Sequence, residues 1–220
     1  MAIILHIDTA VETASICLTD SGNILGYKAN TLPKEHSSWL HSAIKTIYDE
    51  SERSLGDTQA IAVTVGPGSY TGLRVGLSAA KGLCFSLGIP LISIGTLELI
   101  ACSANNLDVD FIVPVIDARR MEIFTALYSS AMSEIEKPHA LIVDENSFSG
   151  LASQGSILIT GNAVTKMKGV LGNEGIVYVE QMPDARSMIT LAEERFKARQ
   201  FSDMAYIEPM YVKEFYQSNH

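Results

Sequence analysis

Val65-Gly66-Pro67-Gly68-Ser69-Tyr70-Thr71-Gly72-Leu73-Arg74-Val75-Gly76 passes from strand to glycine-rich turn to helix within a dozen residues. It is not a Walker loop, because the Lys-[Ser/Thr] pair that should follow the last glycine is missing. It is not the Gly-x-Gly-x-x-Gly dinucleotide fingerprint either, since Gly66, Gly68 and Gly72 are spaced two and then four apart. The glycines free the backbone for positive φ and leave N–H groups just ahead of a helix N-terminus, where the local partial charge is positive. Two readings stay open. The loop holds an anion, with Gly68 and Ser69 as contacts, or Gly-Pro-Gly turns the chain sharply so that the helix lies on its own sheet.

The helix predicted from Thr71 to Leu87 carries Leu73, Val75, Leu77, Ala79, Ala80, Leu83, Cys84, Phe85 and Leu87 around its whole circumference, with Arg74 and Lys81 as the only charges. A helix apolar on all sides is buried on all sides. Small residues recur every four positions at Gly72, Gly76 and Ala80, and again at Ser78, Gly82 and Ser86. Each row would form a flat strip for close helix packing. Either this is a central core helix, or one face packs on the sheet and the other on a second protein.

Upstream, Ile3 to Asp8, Thr13 to Thr19 and Ile24 to Lys28 read as an antiparallel meander. A helix from about His36 to Asp49 follows, striped by Trp39, Leu40, Ala43, Ile44, Ile47 and Tyr48. Strand Ala60 to Val65 precedes the glycine loop; strand Leu91 to Ile94 and a helix from Thr96 to about Ala104 come after the apolar helix. From about Asp108 the opening motif repeats as an apolar hairpin, Phe111 to Asp117 and Glu122 to Tyr128, with Ala118-Arg119-Arg120 at its tip. Weaker signals place strands at Leu141 to Val143, Ile157 to Thr160 and Ile176 to Val179, and helices at about Ala163 to Leu171 and Ala185 to Lys197.

At 220 residues and 47% hydrophobic content the chain can bury a sizeable core without disulfides or metal. A formal charge of −9 argues against a free-standing nucleic-acid binder, whose affinity comes mainly from Lys and Arg neutralising phosphates. Cys17, Cys84 and Cys102 are odd in number, lack Cys-x-x-Cys spacing and lie in apolar patterns, so they read as buried thiols of a reducing cytoplasm. The apolar start has no basic lead or cleavage pattern and stops in Asp8-Thr9, which marks a first strand and not a signal peptide. No apolar stretch reaches the roughly 18 to 20 residues a membrane span needs.

Together these residues resemble a known family. Ile7-Asp8-Thr9-Ala10, His36-Ser37 with Leu40 and Ile44, the run from Gly66 to Leu83, and Ile116-Asp117-Ala118-Arg119-Arg120-Met121-Glu122 are similar to the TsaB family, also called YeaZ. Weaker echoes follow in Ile159-Thr160-Gly161-Asn162-Ala163 and Glu208-Pro209-Met210-Tyr211-Val212-Lys213. The chain departs from the family pattern at Trp39, His41 and Ser42, where arginine, leucine and proline are usual. The resemblance implies an α/β fold of the actin-like (ASKHA, ribonuclease H-like) class with two lobes: a complete first lobe in residues 1–107 and a reduced second lobe in 108–220. It further implies a non-catalytic cytoplasmic subunit that binds and supports the catalytic subunit TsaD, joined by the ATPase TsaE, in threonylcarbamoyl transfer to the adenosine next to the anticodon of certain tRNAs. Such a chain has no cofactor of its own, leaves open an ATP or ADP at the complex interface, and meets tRNA only through the complex.

Actin-like kinases grip phosphate with a hairpin of the Asp-x-Gly-Thr-Thr type. Here Asp8-Thr9-Ala10-Val11-Glu12-Thr13 keeps the aspartate, loses the glycine and adds Glu12, and the adenosine motif is reduced to Gly161-Asn162-Ala163. An ATP site of the chain's own is therefore not expected. Nor is a metal centre: the catalytic relatives carry two histidines at i and i+4, whereas His36 and His41 are five apart, about 140° around a helix, and His6, His139 and His220 have no ligand spacing. Asp117-Ala118-Arg119-Arg120-Met121-Glu122 remains as a polar cluster. Its arginines either pair with an external phosphate or carboxylate, or neutralise Asp117 and Glu122 in a salt-bridged turn.

No catalytic residue is assigned, and a peptidase reading finds no support in the sequence. The partner interface is expected on Trp39, Ala43, Ile47, Gly72, Gly76 and Ala80, a surface that would also make a homodimer when the chain is alone. Asp8, Gly68, Ser69 and Arg119 are the candidate anion or nucleotide contacts. The competing reading is an actin-like small-molecule kinase or ATPase using Asp8 and Asp117.

Overall fold

A computed structural model of the chain describes residues 2–32, 36–105, 107–172 and 175–213. They form two units, Met1–Thr96 with Pro183–Met210, and Leu97–Met182 with Tyr211–His220.

The first unit is organised by β1 (Ile3–Asp8), in which every residue is buried. A strand with no exposed face must be covered on both sides. It pairs antiparallel with β2 (Ala14–Asp20), which pairs with β3 (Asn23–Asn30), and parallel with β4 (Ala60–Gly66), which pairs with β5 (Leu91–Gly95). The order is β3-β2-β1-β4-β5. Ile3, Leu5 and Ile7 point to one face, where they meet Leu40, Ile44 and Ile47 of α1 (His36–Ser51) and Leu77, Ala80 and Cys84 of α2 (Tyr70–Leu87).

His6 and Asp8 point the other way. That side is met by residues from near the chain end, the 3-10 turn Ala185–Met188 and α6 (Ile189–Lys197). The Ala185 N–H donates to Ser15 Oγ at 2.9 Å, the Arg195 guanidinium donates to the Ser93 carbonyl, and Ala185, Met188 and Ala192 are fully buried. The expected division at 107/108 thus differs from the observed packing, which places Pro183–Met210 in the first unit. The physical reason is the doubly buried β1, which the helices of residues 36–87 cover on one side only.

In the second unit β6 (Phe111–Asp117), β7 (Glu122–Ser129) and β8 (Glu134–Ile142) form an antiparallel meander, with β9 (Ile157–Gly161) and β10 (Ile176–Val179) parallel beyond β6. The order β10-β9-β6-β7-β8 repeats that of the first sheet. α3 (Thr96–Ala104) buries Leu97, Ile100, Ala101 and Ala104 against Ile112, Ile116 and Leu158. The helices inserted between strands are short: α4 (Ser149–Ala152) has 4 residues and α5 (Val164–Lys168) has 5, against 16 and 18 in α1 and α2.

Element positions otherwise follow the sequence pattern, except that α4 has no counterpart in it, the helix expected over Ala185 to Lys197 opens with a 3-10 turn, and β8 and α5 have other limits. β8 begins at Glu134, not Leu141, because Glu134-Ile135-Glu136-Lys137-Pro138 is a charged, proline-containing edge strand with no apolar alternation to reveal it. The helix expected over Ala163 to Leu171 stops at Lys168. Among the described residues no helix is long and apolar enough to cross a membrane.

Candidate functional site

The glycine loop lies against the backbone of the β1–β2 hairpin. A Cβ added at Gly68 would sit 2.2 Å from the Ala10 carbonyl oxygen, one at Gly72 would sit 2.1 Å from the Thr9 carbonyl oxygen, and one at Gly76 would sit 2.2 Å from Thr9 Oγ1. The contact is hydrogen-bonded as well as close: Ser69 N–H donates to the Ala10 carbonyl at 2.7 Å and Thr9 Oγ1 donates to the Gly72 carbonyl at 2.8 Å. Ser69 Oγ accepts from Gly72 N–H at 3.2 Å and caps α2. These glycines therefore permit close approach. The Ser69 amide, which an anion would need, is committed to the chain's own carbonyl.

Asp8 lies just before that contact and is closed to solvent. Its Oδ1 accepts from Thr64 Oγ1 at 2.8 Å and from Ala10 N–H at 3.1 Å. Burial pushes its carboxyl up to about 6, against the two hydrogen bonds, and the nearby Asp184 carboxylate pushes the same way. Two residues earlier on the same strand face, His6 Nε2 pairs with Thr19 Oγ1 at 3.0 Å, while Nδ1 has no partner among the described residues. Burial brings this imidazole down to about 3, so it is neutral at physiological pH. Asp184 is occupied too, by Tyr27 Oη at 3.0 Å and by Arg186, whose guanidinium reaches it at 2.6 Å.

The hairpin tip of the second unit has a different character. Asp117 Oδ1 accepts from Arg119 N–H at 2.7 Å and from Lys166 Nζ at 2.5 Å, and Asp117 N–H donates to Asn162 Oδ1 at 2.9 Å. Burial works against ionisation of Asp117, but the lysine and the amide outweigh it and hold the carboxyl below its usual range. Glu122 is paired with Lys213 at 2.7 Å. The salt-bridged turn exists, but lysines close it. Arg119 and Arg120 are exposed at φ of +71° and +50°, and among the described residues neither guanidinium has a hydrogen bond or ion pair.

Asp8, Gly68 and Ser69 are thus linked through Ala10 in the first unit, and Arg119 belongs to the second. The residues expected to face a partner are turned inward. Ala43, Ile47 and Ala80 are buried in the first core, Trp39 is half-buried against it, and Gly72 and Gly76 are covered by Thr9. The row Gly72, Gly76, Ala80 faces the sheet because Leu77, Ala79 and Cys84 beside it carry the core contacts of α2. The other small row, Ser78, Gly82 and Ser86, faces outward with Arg74 and with Phe85, which is 85% exposed. A Cβ at Gly82 would meet nothing within 4 Å. Arg74, stacked on Tyr70 at 3.9 Å, was the sequence signal that marked this outward side. On α1 the outward residues include His41, Ser42, Lys45 and Asp49.

Among the described residues no group of three or more His, Cys, Asp or Glu side chains is placed to hold a metal. His220 and the side chain of His36 lie outside the described residues.

Residues 29–146 match the family model for TsaD, tRNA N6-adenosine threonylcarbamoyltransferase. The tRNA threonylcarbamoyladenosine biosynthesis protein TsaB of Bacillus subtilis is 34% identical over 143 residues, covering 65% of this chain and 61% of that protein, so the match spans less than two thirds of the relative. The protein of the same name from Escherichia coli is 28% identical over 218 residues, 96% of this chain and 94% of that one. A crystal structure from Pseudomonas aeruginosa, of an uncharacterized protein with similarity to peptidase YEAZ, superposes with a TM-score of 0.84 over 97% of this chain and 100% of that chain at 22% identity, a likeness of the YeaZ, actin-like ASKHA fold. From the matched model and these relatives together, the chain belongs to the TsaD family and, within it, to the TsaB/YeaZ branch.

Proposed function

We propose that this chain is a non-catalytic partner subunit in tRNA threonylcarbamoyladenosine biosynthesis, binding and supporting a TsaD-type catalytic subunit. One observation carries the reading beyond the family name: the Ser69 N–H at the head of α2 donates to the Ala10 carbonyl at 2.7 Å. The chain's own hairpin occupies the position a phosphate would take at that amide. A kinase working through Asp8 would need that carboxylate open to substrate, and it is buried.

The outward row of α2, Ser78, Gly82 and Ser86 with Phe85, is the partner surface in this account, in place of the inward residues Ala43, Ile47, Gly72, Gly76 and Ala80. Small residues let a second helix approach to about 8 to 10 Å, and the exposed ring supplies an apolar anchor. The same surface makes a homodimer when the partner is absent. We assign the second unit as the reduced lobe, reduced in its helices while its sheet keeps five strands. An ATP or ADP, and a TsaE-type ATPase, belong to the shared edge of the complex and not to this chain alone.

The test is size-exclusion chromatography with light scattering of the purified chain mixed with the TsaD-type subunit of the same organism. Co-elution is expected for the wild type, with loss of the complex in Phe85→Arg. Separate elution of the two wild-type proteins would overturn the proposal.

A further inference from the structure

The sequence motif that the partner role leaves unused is the β6–β7 tip. Its two carboxylates are already answered, Asp117 by Lys166 at 2.5 Å and Glu122 by Lys213 at 2.7 Å. The turn thus carries two arginines beyond the two lysines that answer its two carboxylates, and the uncompensated charge sits on the exposed Arg119 and Arg120. Apart from Arg199, the other arginines are engaged: Arg53 with Asp20, Arg74 with Tyr70, Arg186 with Asp184 and Arg195 with the Ser93 carbonyl.

The placement of Arg119 and Arg120 is also defined by the backbone. Both residues are left-handed, where glycine or asparagine is the easier choice, and the turn is fixed by Glu122 N–H to the Arg119 carbonyl at 3.1 Å and by Ala118 N–H to the Glu122 carbonyl at 3.1 Å. Two adjacent guanidiniums on a held turn are fork-shaped donors matched to phosphate oxygens. Their adjacency suits a ligand that repeats its anionic group along a chain, as a nucleic-acid backbone does, better than a single carboxylate. The chain as a whole carries a formal charge of −9 and repels a polyanion, so a locally positive tip identifies where one can approach.

We propose that Arg119 and Arg120 contact the phosphate backbone of the tRNA in the assembled complex. This rests on the partner-subunit reading above. The tip adds affinity without sequence readout, and only in the complex, where the catalytic subunit supplies the rest of the RNA surface.

The experiment uses the reconstituted complex with the TsaD-type subunit and a fluorescein-labelled, unmodified tRNA transcript with adenosine beside its anticodon, followed by anisotropy over a series of salt concentrations. The variant is Arg119→Asn with Arg120→Gly, which removes both charges and suits the left-handed turn. It is expected to co-elute with the catalytic subunit like the wild type and to bind the transcript about tenfold more weakly at moderate salt. The plot of log affinity against log salt should be shallower by about 2, roughly one for each phosphate no longer neutralised. Arg119→Lys with Arg120→Lys should restore most of the salt slope. An unchanged affinity and slope in the Asn/Gly variant would overturn the proposal. So would loss of co-elution in that variant, which would make the tip a docking point for protein carboxylates. Failure of the wild-type proteins to co-elute would instead remove the partner reading, and this proposal with it.

Discussion

A side-chain carbon at position 68 would lie 2.2 Å from the carbonyl oxygen of Ala10, so the glycine loop and the β1–β2 hairpin meet backbone to backbone. Gly68→Ala must displace one of them and should lower stability by about 2 to 3 kcal/mol, as overpacking of a tight site does. Gly72→Ala, 2.1 Å from the Thr9 carbonyl oxygen, should do the same. Gly82, in the exposed part of the same helix, has open space, and Gly82→Ala should raise stability by up to about 1 kcal/mol. Urea unfolding of the three variants checks this; equal tolerance at all three positions would show that the loop does not press on the hairpin.

Ala80 and Phe85 lie on opposite sides of α2 in their consequences. Ala80→Arg puts a charge into the first core and should abolish cooperative unfolding, whereas Phe85→Arg should leave the circular dichroism spectrum and melting temperature unchanged within about 2 °C, since exposed substitutions change stability by at most about 0.5 kcal/mol. A folded Ala80→Arg protein would mean that this helix face is open.

Asp8 and His6 give opposite pH signatures. The carboxyl of Asp8, pushed up to about 6, keeps its proton in the folded state at pH values where the unfolded chain has lost it, so its contribution is complete below pH 3.8 and is lost as pH rises through about 6. Asp8→Asn removes this loss, and its stability relative to wild type should grow by about 1 to 3 kcal/mol between pH 4 and pH 7. The neutral His6, held down at about 3, costs stability as pH falls below 6.5, because the unfolded chain takes up the proton first. The stability of His6→Gln relative to wild type should therefore grow toward low pH. Urea midpoints at four or so pH values check both; curves parallel to wild type would show that neither group is perturbed.

With Asp8 enclosed and the Ser69 amide bonded to Ala10, the isolated chain should hydrolyse ATP no faster than a blank. Turnover that disappears in Asp8→Asn would restore the kinase reading.

Much of the fold was legible because its strands are short apolar runs bounded by turn residues: Ile3–Asp8, Phe111–Asp117 and Ile176–Val179 have the expected limits. The return of Pro183–Met210 to the first sheet was not, since it depends on the second face of β1 and no local pattern says which distant segment covers it. The signal was present in Ile3-Ile4-Leu5-His6-Ile7, a strand without alternation. At the site, the four-residue spacing marks both small rows on α2 but not their burial: Gly72, Gly76 and Ala80 are the buried row, and Ser78, Gly82 and Ser86 the exposed one. Spacing defines a helix face, and only packing decides which way it turns. Likewise Asp117 and Glu122 have arginines between them in sequence, yet lysines 49 and 91 residues away neutralise them.

The most direct test of the account is threonylcarbamoyl transfer to an unmodified tRNA transcript by the TsaD-type subunit of the same organism, with its carbamoyl donor supplied, assayed with and without this chain. Modified adenosine is expected only when both proteins are present, with none formed by this chain alone and loss of the stimulation with Phe85→Arg. Full modification by the TsaD-type subunit in the absence of this chain would contradict the account.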